Sequence, residues 1–306
     1  MTPISEDDWL NRAIGAISLE TQDERIVVNY TADRAAERTH TVSATINYSG
    51  REPARPRYHA NESSRDTIVI EPSNMLVEDV RYSSDPPRLD REGFVLIRHV
   101  SRVQDFGDPD AIAKIHRDEI RGLLMAVSGA DEVSITSSGI LRFSERSSLS
   151  GKLDNSKPAR FAHIDVSDAT AASAAVRANP RPGVLPKRSC AYNVWRVITP
   201  PPQDTPLTLC DARSVAPRDL VLADAVFDAA DKPEWSFEGV VVAANPAHRW
   251  VYWSNMTRDE TLIFVTNDSE PDNPHSVPHV AFDDPGCPPD ASPRGSIEMR
   301  GIAYWY

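Results

Sequence analysis

The chain has 306 residues, with 33 Lys and Arg against 45 Asp and Glu, a formal charge of −12. That acid excess, with no basic run longer than a few residues, argues against a nucleic-acid binder, which needs clustered Lys and Arg to neutralise phosphates. No stretch approaches the roughly 18 apolar residues of a membrane span, and the acidic opening Met1–Trp9 lacks the basic and apolar regions of a secretory leader. A cytoplasmic protein off the membrane is therefore expected. Its three cysteines, Cys190, Cys210 and Cys287, are far apart and form no CxxC pair, against a disulfide framework or structural zinc. With 25 Pro and only 13 Gly, long helices are not expected to dominate.

In chain order, the first 80 residues carry short alternating runs, Arg25–Tyr30 and Thr67–Glu71, broken by Pro and Ser, and read as strands and arms. Polar linkers follow at Tyr82–Arg91 and Ser144–Lys157. Between Asp108 and Ala130, the spacing of Ile112, Ile115, Ile120, Leu123, Leu124 and Val127 predicts a helix capped by Asp108 or Asp110. From Arg160 the pattern changes to strands separated by Pro-rich turns: Arg160–Val166, Ala191–Ile198, Phe237–Ala243, Arg249–Trp253, Thr261–Thr266, Val277–Phe282 and Ser296–Tyr304. The expected fold is mainly β with flanking helices, a sandwich or jelly roll.

Two segments begin a His-x-Asp: His116–Asp118 and His163–Asp165. In a helix, residues two apart point about 200° apart and cannot converge on one ion, so His116 and Asp118 are expected as solvated surface groups. In a strand the same spacing puts both side chains on one face, about 6.6 Å apart. The apolar Ala162, Ile164 and Val166 would then pack opposite Phe161, His163 and Asp165. A buried carboxylate needs a partner, and a cation is a good one. Two imidazoles and a carboxylate are the set that holds Fe(II) with positions left open. The second imidazole is sought among His248, His275 and His279. His279 lies within a strand run and ranks first; His248, before a strand, ranks second; His275 belongs to a turn. Next come Arg294 and Ser296, on one strand face. A guanidinium fork beside a hydroxyl suits a carboxylate, as the tail of 2-oxoglutarate requires. Arg300 and Glu298 share that face and are expected to pair. Asn193 is a further candidate for binding the cofactor, and Arg196 is a candidate for a substrate or co-substrate carboxylate. Trp250, Tyr252 and Trp253 are read as packing.

These residues, with Tyr192–Arg196, Cys210–Val215, Asn245–Trp250, Met256–Glu260 and Pro293–Glu298, resemble the hydroxylase/desaturase family of non-haem iron oxygenases over about residues 90–306. The resemblance implies a double-stranded β-helix (jelly roll, cupin-like) and the use of Fe(II), 2-oxoglutarate and O2 to hydroxylate or desaturate a small specialised metabolite. It places the metal on His163, Asp165 and His279 and the co-substrate on Arg294 and Ser296. Val197 stands where the family often has Pro, and the first 90 residues lie outside the resemblance. One oxygenase domain over 1–306 is expected, with 1–90 as strands and arms shaping the substrate pocket. The rival readings are a cupin-like isomerase or lyase that does not use 2-oxoglutarate, and a jelly-roll binding protein without activity.

Overall fold

The computed structural model describes residues 26–28 and 40–306; the acidic opening lies outside them, as do the flanks of the expected Arg25–Tyr30 strand. The described strands, in chain order, are β1 (Ile26–Val28), β2 (His40–Ser49), β3 (Arg57–His59), β4 (Ile70–Asp79), β5 (Phe94–His99), β6 (Glu132–Ile135), β7 (Ile140–Phe143), β8 (His163–Ile164), β9 (Arg188–Val197), β10 (Leu207–Cys210), β11 (Leu220–Phe227), β12 (Trp235–Val242), β13 (Trp250–Tyr252), β14 (Glu260–Asp268), β15 (His279–Ala281) and β16 (Gly295–Trp305). They form two sheets. One runs β1-β5-β14-β9-β16-β6, with β7 also on β16; the other runs β2-β4-β13-β10-β15-β8-β12-β11-β3. Curled against each other, they make the jelly roll that the sequence implied. All seven strands expected from Arg160 onward are present.

Alternation explains the layering. On β16, Ile297 and Met299 are buried on the face toward helix α1 (Arg117–Ser128), whose Ile120, Leu123, Leu124 and Val127 belong to the same apolar cluster. The even-numbered β16 residues then face the other sheet. On β8 and β15, Ala162, just ahead of β8, and Val280 join Tyr48, Cys210, Val242 and Trp250 in a second cluster. That cluster braces the strands from behind and turns His163 and His279 the other way. Gly301 on β16 has a local reason to be glycine: a Cβ there would lie 2.6 Å from Leu124 Cδ1.

Three expectations need correction. The Asp108–Ala130 helix is capped by Asp108, which accepts from the Asp110 amide, but its second turn, Ile112–His116, is π-helical. The wider turn changes the face on which later residues fall. His116 is consequently buried, edge-on to Phe106 at 5.1 Å and 3.5 Å from Glu119, whereas Asp118 stays exposed and pairs with Arg121. The Arg160–Val166 run contributes only the two residues of β8, because the chain turns after Asp165 into helix α2 (Asp168–Ala178), capped by Ser167. That helix is absent from the expected elements. Its Asp-Ala-Thr-Ala-Ala-Ser-Ala-Ala-Val-Arg-Ala sequence has high propensity but no large apolar stripe to betray it, and only Ala171 is buried.

Candidate active site

β8 and β15 are hydrogen-bonded neighbours in register, with His163 opposite His279. Their rings lie 4.3 Å apart between centroids. Asp165, just past the end of β8, brings one carboxylate oxygen within 3.8 Å of His163 Nε2 and the other within 3.9 Å of His279 Nε2. One ligand atom from each of the three residues falls within 4.8 Å of the others, and all three side chains are buried. The fold thus joins His163 to His279 and not to the other candidates. His248 bonds Tyr48 and Asp219 at the back of the sheet, and His275 bonds Asp168 on the surface.

The two imidazoles are oriented alike. Nδ1 of His163 lies 3.0 Å from the Phe161 carbonyl, and Nδ1 of His279 lies 3.2 Å from the Val277 carbonyl. A carbonyl only accepts, so Nδ1 carries the proton and the Nε2 lone pair is left facing the centre. Burial pushes the His163 pKa down to about 3, with His279 beside it adding to the effect. Burial likewise lowers that of His279, so both rings are neutral near pH 7. Burial alone would raise the Asp165 pKa, but Arg300 and the two imidazoles outweigh it and hold the carboxyl well below the usual carboxylate range. Two neutral imidazole nitrogens and an ionised carboxylate, converging on one point, fit a divalent first-row metal.

The carboxylate is gripped from the facing sheet. Arg300 Nη2 donates to Asp165 Oδ1 at 2.9 Å and Asn193 Nδ2 donates to Oδ2 at 2.5 Å. Arg300 and Asn193 are a directly opposed pair on β16 and β9. Arg300 also donates to Glu298 at 2.8 Å, the expected pair, but its bond to Asp165 could not be read from β16 alone. Asn193 therefore serves the Asp165 carboxylate.

Arg294 is 2% exposed and has no ion pair among the described residues. Its Nη1 donates to the Thr205 carbonyl at 2.7 Å, its Nε has no partner, and its guanidinium lies 5.7 Å from the centre of the Trp195 ring. Burial, with the positive Arg142 and Arg160 nearby, draws its pKa down to about 9. A buried, uncompensated guanidinium is costly, and a carboxylate would complete it. Ser296 is two residues along the same face, buried, its Oγ 3.4 Å from the Arg142 carbonyl. These residues fit the diacid that the sequence suggested.

Arg196 is a correction. It lies on the opposite face of β9 from Asn193 and donates to the carbonyls of His99 and Arg258 and to the His99 ring nitrogen. Strand alternation sends it away from the metal ligands, and its bonds brace β9 against β5. The motif residues around 210–250 are braces too. Asp211 binds Arg213 and Arg249, Asn245 binds Asp219, and Trp250 donates to Tyr48. One residue carried no signal in the sequence: Gly239 on β12, where a Cβ would lie 2.9 Å from the Tyr58 hydroxyl and 3.0 Å from the Asp165 carbonyl. Beside the ligands opens a cavity of about 530 Å³, lined by His163, Asp165 and Arg300 on one side and by Tyr58, Phe227 and Phe237 on the other.

A family model described as oxidoreductase/YMDC permease-like domain matches residues 29–304. Among curated proteins, the hydroxylase/desaturase efuI of Hormonema carpetanum is 28% identical over 89% of this chain and 97% of its own length. The hydroxylase/desaturase CTB9 of Cercospora beticola is 31% identical over 71% and 72%. The Fe(II)/2-oxoglutarate-dependent dioxygenase nvfI of Aspergillus novofumigatus is 28% identical over 76% and 84%. A solved structure of a single-substitution variant of the iron and alpha-ketoglutarate-dependent endoperoxidase NvfI superposes with a TM-score of 0.71 at 23% identity, covering 87% of this chain and 98% of that one.

Proposed function

The chain belongs to the hydroxylase/desaturase family of non-haem Fe(II)/2-oxoglutarate-dependent oxygenases, and from that premise we propose which of its residues carry the reaction. It is an oxidoreductase that uses Fe(II), 2-oxoglutarate and O2 to hydroxylate or desaturate a small molecule of secondary metabolism. In our reading His163, Asp165 and His279 hold the iron, and Arg294 with Ser296 takes the distal carboxylate of 2-oxoglutarate. The observation that carries this assignment is the convergence of two Nε2 lone pairs and an ionised carboxylate within 4.8 Å.

Bound iron supplies the oxidising chemistry, coupling O2 and the oxidative decarboxylation of 2-oxoglutarate to removal of hydrogen from the substrate. The protein's part is to position. The Phe161 and Val277 carbonyls fix the tautomers of the two imidazoles. Arg300 and Asn193 hold the carboxylate in one rotamer. Arg294 waits as a charged, dry socket for the co-substrate tail. The substrate lies in the cavity beside His163, whose walls come partly from Asn47, Tyr58, His59 and Ile70. We accordingly treat 1–306 as one oxygenase domain in which residues between Asn47 and Ile70 wall part of the pocket. Among the described residues no helix is long and apolar enough to cross a membrane. The three free thiols and the acidic balance support a cytoplasmic enzyme acting on neither nucleic acid nor membrane.

The test is an anaerobic electronic spectrum of the full chain with Fe(II) and 2-oxoglutarate. A metal-to-ligand charge-transfer band should appear in the wild type and vanish in His163→Ala. A band of undiminished intensity in that variant would overturn the ligand assignment.

A further inference from the structure

Not every side-chain donor around the cavity is taken up, although Glu298 and Asp165 lie close enough to offset part of the Arg142 charge. Of its acidic lining residues, Asp66 pairs with His59 at 3.2 Å, Glu145 with Arg160 at 3.2 Å and Asp165 with Arg300 at 2.9 Å. Arg142 and the exposed Lys157 at the rim line the same cavity, and neither has an ion pair among the described residues.

Arg142 is held for a purpose other than pairing. It lies opposite Ser296 in the β7–β16 register, which puts its side chain on the inner face of the sheet. Its Nη1 alone is engaged, donating to the Asn155 carbonyl at 3.1 Å, the Asn155 Oδ1 at 3.0 Å and the Lys157 carbonyl at 2.7 Å. Asn155 is tied in turn to the pocket wall, its amide donating to Asn61 Oδ1 at 2.8 Å. Nε and Nη2 have no partner among the described residues, yet they are not sealed off, since only Nε of Arg196 and Nε of Arg294 are orphaned guanidine atoms without solvent contact there. The guanidinium is clamped at one corner and presents its other donors to the cavity. Around it the walls are aromatic and aliphatic, with Tyr58, Phe161, Phe227, Phe237, Ile68 and Ile70. Arg294 does not line this cavity, so of these two neighbouring guanidinium groups one is sealed and one is open.

Building on the function proposed above, we propose that Arg142 is a specificity-determining residue: it binds a carboxylate on a substrate whose remaining body is apolar, and it leaves 2-oxoglutarate to Arg294. A fixed guanidinium edge with two free donors selects a carboxylate over an alcohol, ester or amide of equal shape. Apolar walls without such a donor would prefer the neutral form.

The test uses two fluorescent probes with the same ring and chain, 1-pyrenebutyrate and 1-pyrenebutanol, titrated into the full chain loaded with redox-silent Mn(II) and saturated with 2-oxoglutarate. The acid should bind about 10- to 100-fold more tightly than the alcohol, the worth of a charge-assisted hydrogen-bond pair. Arg142→Met should erase that preference and leave 2-oxoglutarate affinity unchanged, while Arg142→Lys should retain part of it. Equal binding of acid and alcohol to the wild type overturns the proposal without recourse to any variant, should Arg142→Met fail to fold. So does competition between pyrenebutyrate and 2-oxoglutarate, or loss of 2-oxoglutarate affinity in Arg142→Met, since either would assign the guanidinium to the co-substrate. If Mn(II) and 2-oxoglutarate do not bind at all, the metal assignment fails. The probe titration on metal-free protein still tests Arg142 in that case, with the same acid preference expected.

Discussion

Replacing Arg294 by methionine should move stability and co-substrate affinity in opposite directions. The guanidinium is 2% exposed, without an ion pair among the described residues, and drawn from an ordinary pKa of 12.5 to about 9 chiefly by burial. At 1.36 kcal/mol per pH unit, its charge costs the folded chain on the order of 5 kcal/mol. That cost is present in full at neutral pH, below both values, and fades only as the pH climbs above about 9. Methionine keeps most of the volume and removes the charge. It also frees the Thr205 carbonyl, which accepts from Nη1 at 2.7 Å, a loss of about 1–3 kcal/mol. The metal-loaded protein without 2-oxoglutarate should therefore gain about 2–4 kcal/mol. Binding of 2-oxoglutarate loses the buried guanidinium partner of its carboxylate, about 3–5 kcal/mol, so the Kd should rise by roughly two to four orders of magnitude. Calorimetric titration of 2-oxoglutarate into the Mn(II)-loaded protein measures the second quantity. Thermal melts with and without 2-oxoglutarate measure the first, and the wild type alone should show a ligand-dependent rise. If Arg294→Met melts well below the wild type and binds 2-oxoglutarate normally, the residue is a brace for the Thr205 loop and the reasoning fails.

Four other substitutions separate the neighbouring roles. Asn193→Ala and Arg300→Met each release one oxygen of Asp165, and each should weaken Mn(II) binding about 10- to 100-fold, as loss of a hydrogen bond to a ligating carboxylate does; a paramagnetic resonance titration of free Mn(II) reads this directly, and unchanged affinity would make both residues mere packing. Gly239→Ala places a methyl 3.0 Å from the Asp165 carbonyl and 2.9 Å from the Tyr58 hydroxyl, so it too should lower metal affinity although it carries no ligand. A variant with normal metal binding would mean that β12 yields freely. Arg196→Met should do the reverse, costing about 1–3 kcal/mol in a urea unfolding curve through the stranded carbonyls of His99 and Arg258 while 2-oxoglutarate affinity stays intact. A loss of affinity there would return Arg196 to the site.

How far such a site can be read from sequence depends on how local its geometry is. The shared face of His163 and Asp165 follows from period-two alternation over six residues, and the same alternation links Ser296, Glu298 and Arg300 on β16 with Arg294 just ahead of it. It also separates Arg196 from Asn193, although Arg196 remained a candidate because a buried arginine held by two carbonyls and a His ring nitrogen leaves no mark in sequence. The third ligand was harder. His248 and His279 differ in what lies across from them in space, and the pairing of β15 with β8 joins distant segments that no local pattern connects. His116 fell to a single π-helical turn, which local spacing cannot anticipate. β10 and β11 escaped for a plainer reason: Leu207–Cys210 is a four-residue run between Pro-rich turns, and Leu220–Phe227 is apolar enough to suit either a helix or a strand.

One strand links these elements. Along β16 and the residue just ahead of it, even-numbered positions share one face in steps of about 6.6 Å, so the Cα atoms of Arg294 and Arg300 stand roughly 20 Å apart, at the proposed co-substrate end and the proposed metal end of a single backbone. Their separation is set by covalent geometry, and their height by register with β9, which runs from Ser296 opposite Val197 to Trp305 opposite Arg188. A slip of one residue would turn Ile297 and Met299 into the cavity and drive two arginines and a glutamate into the apolar layer beneath α1. The outer face forbids this independently, because Leu124 packs against the site where Gly301 has no Cβ. The hydrophobic contacts that stabilise the sheet therefore also set the distance between the carboxylate socket and the Asp165 grip. Changes in the α1–β16 packing should accordingly disturb metal and co-substrate binding together, although none of those residues touches either ligand.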